Sequence, residues 1–174
     1  MKHWLPMLFI GFCGGAQAQT PAAESQPAYR VALGVLGSWR TAGLLAEARF
    51  APRFSLKLAG VRTSDGTVPG EYSTAGIGQL TYYLPSRLAW LEPTVGLGGI
   101  YSGYHWNQYN HSGTLRDLNV GGNFGANVRF HQHLRTGLQV FVTNGFQAAY
   151  TDNTMRVTGR RLLVLPTLML EVLL

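Results

Sequence analysis

Residues 116 to 130 read RDLNVGGNFGANVRF. Leu118, Val120, Phe124, Ala126, Val128 and Phe130 share one face of an extended chain, because side chains alternate along a strand. Asp117, Asn119, Asn123, Asn127 and Arg129 share the other, with Gly121 and Gly125 on the same polar side. A soluble sandwich or barrel turns the polar face to water, whereas a membrane barrel turns the apolar face to lipid. Alternation by itself leaves both solvents open.

The start of the chain bears on the compartment. MKHWLPMLFIGFCGGAQA, residues 1–18, has basic Lys2, an apolar run through Phe12, and Ala16 and Ala18 flanking Gln17, the pattern of a signal peptide cleaved after Ala18. The run is too short to be a transmembrane helix, which takes about 20 apolar residues. Cys13 follows bulky Phe12, where a lipoprotein signal needs a small residue. Cleavage removes Cys13, the single cysteine, so no disulfide, thiolate nucleophile or Cys-held metal is expected, and no cofactor. QTPAAESQPA, residues 19–28, reads as a flexible leader, and residues 29–174 as one domain.

Removing Lys2 leaves 13 basic residues (14 minus 1) against 8 acidic ones, and Lys57 is the one lysine among them. Charged residues make up 13% of the chain, well below the quarter or so usual in soluble domains. The arginines are scattered, so nucleic acid is not an expected partner.

A period of two picks out eight strands, at about 29–39, 42–50, 53–63, 74–84, 88–102, 116–130, 134–146 and 161–174. LLAEARF, residues 44–50, has helix-favouring composition but lies between Gly43 and Pro52 and also fits the shorter period. The links 51–53, 85–87 and 131–133 are short, whereas 63–73, 103–115 and 147–159 are long. Short and long links alternate, as they do at the two ends of an outer-membrane barrel. The link around 38–41 is short where a long one is expected.

Placing the more apolar face outward exposes Tyr29, Val31, Leu33, Val35 and Trp39 on the first strand, and Leu91, Val95, Leu97 and Tyr101 on the fifth. Tyr29, Trp39, Phe50, Phe54, Tyr82, Tyr101, Phe130 and Phe146 then sit near strand ends, with Phe124 a mid-strand exception. Rings at both rims with aliphatics between them form the interfacial girdle of a membrane barrel. The opposite face is Gly, Asn, Gln and Thr with the charges Arg30, Glu47, Arg49, Lys57, Glu92, Asp117, Arg129, Arg135 and Glu171. An eight-stranded interior is just wide enough for side chains, so these charges are expected to pair as a plug rather than line an ion gate.

The signal, the eight alternating strands and the closing LPTLMLEVLL together resemble the small outer-membrane β-barrel proteins of the OmpA/OmpX type. The resemblance is one of pattern and covers the whole mature chain. It implies an all-β, eight-stranded antiparallel up-and-down transmembrane β-barrel. The implied partners are outer-membrane lipid, lipopolysaccharide and the barrel assembly machinery, the implied state a monomer. Pro166, Leu168, Leu170, Val172 and Leu174 match the family's terminal alternation, with Leu174 in place of the usual aromatic. Pro93 and Pro166 fall within strands, where local bulges are expected.

Members of that family act as adhesins, membrane stabilisers or narrow pores, and relatives of similar size modify lipid A with a His, a Ser and sometimes an acidic residue. Here His105, His111 and Ser112 lie in one outer loop and Asp152 in another. His111 and Ser112 are sequence neighbours whose side chains diverge if extended, so a non-enzymatic barrel is the expectation and lipid A modification the alternative. A soluble periplasmic lipocalin-like barrel is a third reading, with its faces reversed. His131 and His133 share a strand face but sit in a tight turn, so no metal is expected there. Tyr104, Trp106 and Tyr109, among amides, suit either a sugar or protein partner or an anchor at the lipid rim.

Overall fold

The computed structural model describes residues 29–64 and 71–174. The expected signal peptide (1–18), the leader (19–28) and part of the 63–73 loop lie outside the described residues. The strands are β1 (Val31–Gly37), β2 (Thr41–Ala51), β3 (Phe54–Ser64), β4 (Tyr72–Tyr83), β5 (Leu91–Gln108), β6 (His111–His131), β7 (Leu134–Thr151) and β8 (Thr154–Leu173). Each pairs antiparallel with the next, and β1 closes on β8 from Ala32↔Leu173 to Gly37↔Leu168. The stretch 44–50 is strand: Leu45, Glu47 and Arg49 point inward, while Leu44 and Phe50 are exposed.

The staves are unequal. β1 has 7 residues whereas β5 to β8 have 18, 21, 18 and 20. The expected loops 103–115 and 147–159 are therefore strand, each hairpin closing through two residues. Tyr109 and Asn110 have φ of 49° and 64°, and Asp152 and Asn153 have φ of 53° and 59°. Two successive left-handed residues make a type I′ turn, whose twist matches the flanking strands, and Asn and Asp tolerate it best after glycine. Asn110→Ala or Asn153→Ala should each cost about 1–2 kcal/mol locally. Hydrogen exchange would report this as faster exchange confined to that hairpin tip, while Asn→Gly at either site should leave protection unchanged.

The opposite end carries Tyr29, where the described residues begin, Leu174 and the short links. The link after β4 is longer than expected, spanning 84–90 with Leu91 starting β5. The bulges expected at Pro93 and Pro166 are not there: Pro93↔Ala126 and Val140↔Pro166 stay in register, and the shifts fall at Arg49/Ala51, Arg129/His131 and Gln147/Ala148. Each proline's missing donor meets a place where the neighbouring strand has ended. Leu84 N–H donates to the Pro93 carbonyl, so the absent N–H would face Leu84, one residue beyond β4. Leu174 N–H donates to Val31, so even-numbered residues of β8 face β1, which stops opposite Leu168.

The expected alternation also breaks at the start of β1. Arg30 N–H and Val31 N–H both reach the Leu174 carbonyl, at 3.1 and 3.4 Å, and the chain bends there. This slip turns Tyr29 inward and Arg30 out into solvent, correcting both expected orientations. Gly121 and Gly125 do face inward, on the side of buried Asn119, Asn123 and Asn127, and a Cβ at either would run into the backbone of β7 at Val142 or Leu138.

Candidate functional site: an ionic plug beneath an apolar chamber

The inward face of the end bearing Tyr29 and Leu174 is a network of charges drawn from around the ring. Arg135 of β7 lies at its centre, fully buried. Its Nε and Nη2 donate to the two oxygens of Glu171, each at 2.8 Å, a bidentate pairing that the planar guanidinium favours. Nη2 also reaches Glu47, while Nη1 reaches Glu92 at 3.0 Å, the Tyr83 hydroxyl at 3.2 Å and the Tyr29 hydroxyl. Tyr83 donates to Glu47. Lys57 stands 3.7 Å from Glu47, Arg49 3.3 Å from Glu92, and Arg129 2.5 Å from Glu92. The Arg49 guanidinium lies over the rings of Tyr83 and Tyr29, at 3.7 and 4.3 Å from their centroids. Strands β2 to β8 all contribute, and Tyr29 stands in for β1. Three carboxylates among four cations neutralise most of the charge, which is what burial demands.

Two charges placed by sequence in the same cluster are elsewhere. Arg30 is outside the wall, and Asp117 lies higher, paired with Arg160 of β8 at 2.5 and 2.7 Å. Arg160 also donates to Asn119 at 2.9 Å. This contact joins β6 to β8 where β6 and β7 have ceased to pair, beyond Gly121↔Thr143.

Above the plug the interior changes character. Leu36, Leu45, Ile77, Ile100, Phe141 and Met169 all face inward, on the side where Gly, Asn, Gln and Thr are expected. They lead up into a chamber of about 840 Å³, whose walls include Val61, Leu163 and Leu165. Phe146, expected at the outer rim, lines this chamber. The sequence signal was present as consecutive apolar pairs, Val35–Leu36, Leu44–Leu45 and Ile100–Tyr101, that no single face can hold.

At the mouth, Glu71 accepts from the Tyr104 hydroxyl at 2.5 Å, from Asn107 N–H at 3.3 Å and from Gln108 Nε2 at 3.4 Å. Trp106 is buried and meets Tyr150 edge-on at 5.7 Å, so of the three aromatics singled out in this region Tyr109 is the exposed one. His105 stacks on Tyr72 and its Nδ1 bonds the Thr114 hydroxyl at 3.0 Å. His111 pairs with Gln108 and Ser112 with Asn107 across the β5–β6 hairpin, whereas Asp152 lies in the β7–β8 turn. The structure thus places His105, His111 and Ser112 on one hairpin and the carboxylate on the other. His133 N–H donates to His131 Nδ1 at 3.3 Å across their turn. Among the described residues no group of three or more His, Cys, Asp or Glu side chains is arranged to hold a metal.

No protein-family model matches the chain, and no curated protein matches it. Several solved structures share its fold, two of them as follows. The N-terminal β-barrel domain of Pseudomonas aeruginosa OprF superposes with a TM-score of 0.63 at 12% identity, covering 82% of this chain and 95% of that one. Neisserial surface protein A (NspA) gives a TM-score of 0.54 at 10% identity, covering 82% and 89%. At such identities the likeness is one of fold, and it is the fold that both sequence and register describe: an all-β, eight-stranded, antiparallel up-and-down barrel.

Proposed function

We propose that this chain is a monomeric, non-conducting outer-membrane barrel that works at the cell surface through the β5–β6 and β7–β8 hairpins, in adhesion, ligand contact or envelope integrity. The observation that carries this reading is an inversion of the usual burial. Arg135, Lys57, Glu47 and Glu171 are among the largest fully buried side chains, while Leu44, Leu97, Val120 and Leu162 are each at least 70% exposed. Water around such an exterior is unfavourable at roughly 25 cal/mol per Å² of apolar surface, whereas lipid removes that cost. The plug gives the second half of the reading, since ion passage would require breaking pairs held in a low dielectric.

Lipopolysaccharide is the proposed neighbour at the outer rim. Arg62, Thr74, Gly103 and Arg116 form one cross-strand row over β3 to β6. Arg62 and Arg116 thereby stand three strand spacings apart, about 14 Å. They flank an exterior groove floored by Gly60 and Gly76, a shape and charge that suit a phosphorylated lipid headgroup.

Single-cysteine variants test the topology. On intact cells a membrane-impermeant maleimide should label Tyr109→Cys and Asp152→Cys, and should label Gln132→Cys only after the outer membrane is permeabilised. Labelling of Gln132→Cys on intact cells, or recovery of all three in the soluble fraction, would contradict the proposal. In planar bilayers the wild-type barrel should give no stepwise conductance.

A further inference from the structure

We infer that the chamber above the plug binds a single-chain amphiphile with an anionic head, which reaches it sideways from the membrane between β1 and β8. The inference rests on reading the chain as a membrane barrel and adds a ligand to it.

The chamber, at about 840 Å³, is within the range of roughly 300–1,000 Å³ usual for small-molecule sites. Its walls are mainly apolar, with Leu36, Val61, Ile77, Ile100, Leu163 and Leu165 lining it, and the layer of Leu45, Phe141 and Met169 lies between it and the plug. A narrow barrel that only needed filling would have closed this space with side chains, as it does a few residues lower.

The wall of the chamber is open on one side. β1 stops at Gly37 opposite Leu168, and β8 runs on for a further 14 residues, Thr154 to Thr167, with no β1 partner. The backbone groups of Leu162 and Val164 that would have faced β1 are left without that neighbour, and Pro166 brings no N–H to the same edge. Open sheet edges are not tolerated against hydrocarbon unless they line a cavity. Leu162 and Val164 have their side chains on the exposed exterior, so this edge lies beside the upper part of the apolar band, where a lipid chain can pass.

The head is assigned by charge. Glu71 is occupied by Tyr104, Asn107 and Gln108. Arg161 lines the same chamber near its mouth and makes no hydrogen bond or ion pair among the described residues. A carboxylate or phosphate there would complete its pairing.

Photo-crosslinking of the full mature barrel in phosphatidylcholine vesicles tests this. The probe is hexadecanoic acid with a diazirine at its terminal carbon, and adducts are mapped by peptide mass spectrometry. Adducts are expected on inward Ile77, Ile100 and Leu163, displaced by excess unlabelled hexadecanoic acid and lost in Ala75→Trp, which fills the chamber. Adducts on lipid-facing Leu118 and Val120 should persist throughout. Heat-modifiable migration establishes that the filled variant is folded, and Leu163→Phe serves if it is not. Outward adducts without inward ones, or inward adducts indifferent to competitor and filling, overturn the inference. Absence of the Leu118 and Val120 adducts overturns the membrane reading and the inference with it. Arg161→Gln should cut inward adducts several-fold both for the fatty acid and for a lysophosphatidate probe, distinguishing neither source of anion, while direct competition between the two unlabelled lipids ranks them. Inward adducts of the corresponding alcohol should be unchanged in Arg161→Gln, and equal loss for all three probes would overturn the anionic-head assignment.

Discussion

Arg135→Met in the refolded barrel is expected to lower unfolding stability by about 3–5 kcal/mol, the cost of removing one partner from a buried ion pair. The reason lies in what remains. Arg135 is the cation that bonds Glu171, and it also reaches Glu47, Glu92 and the hydroxyls of Tyr29 and Tyr83. Without it Glu171 is a buried carboxylate with no cation paired to it among the described residues. Urea titration in detergent micelles, followed by heat-modifiable gel migration, reads the loss directly. Arg135→Met combined with Glu171→Gln should recover a large part of it, because the second change removes the orphaned charge. A combined variant no more stable than the single one would mean that the network acts through shape rather than charge.

Leu97→Arg is expected to cost about 2–4 kcal/mol in lipid vesicles, the penalty for a cation at the bilayer midplane on the exterior of a barrel. Leu97 is 72% exposed and lies halfway along the part of β5 that carries the exposed residues Val95 to Tyr101 and the aromatic rim. In water a residue so exposed would accept arginine within about 0.5 kcal/mol. Tyr109→Arg, at the hairpin tip, should cost almost nothing in either medium. Comparing the two variants by chemical denaturation in the same vesicles separates depth from exposure, since both positions are open to the surroundings and the proposed placement puts only Leu97 in hydrocarbon.

The barrel was legible because its signal is repeated eight times and depends on local alternation alone. Boundaries were less so. Residues 103–115 and 147–159 are rich in Asn, Gln, His and Gly, which suits a loop, yet β-pairing between two adjacent arms of one hairpin tolerates polar residues on both faces above the membrane. The turns themselves were encoded in part, by Asn110 and by Asp152–Asn153, which accept positive φ without glycine, whereas Tyr109 carries no such signal. The orientation of Tyr29 could not be seen in the pattern, since two amides sharing the Leu174 carbonyl shift the phase by one residue.

The plug was legible as a face and hidden as a geometry. Period two puts Glu47, Arg49, Lys57, Glu92, Arg129, Arg135 and Glu171 inward, but their meeting depends on the stagger between strands. Asp117 shares that parity and lies above the others, on Arg160. The apolar chamber was missed because each strand was assigned a single apolar face. Residues 162–170, LLVLPTLML, supply both faces, Leu163 and Leu165 inward with Leu162 and Val164 outward. That breach of alternation is the local trace of an interior that is polar at one end and oily at the other.

A nitroxide scan of residues 118 to 130 in reconstituted vesicles tests the inverted arrangement most directly. Collision with oxygen, which concentrates in hydrocarbon, should peak at Leu118, Val120, Phe124, Ala126 and Val128 and fall at Asn119, Asn123 and Asn127, in step with the register on β5 and β7. A period-two pattern in the opposite phase, or uniform access to a water-soluble nickel chelate along the stretch, would contradict a barrel with its apolar face in lipid.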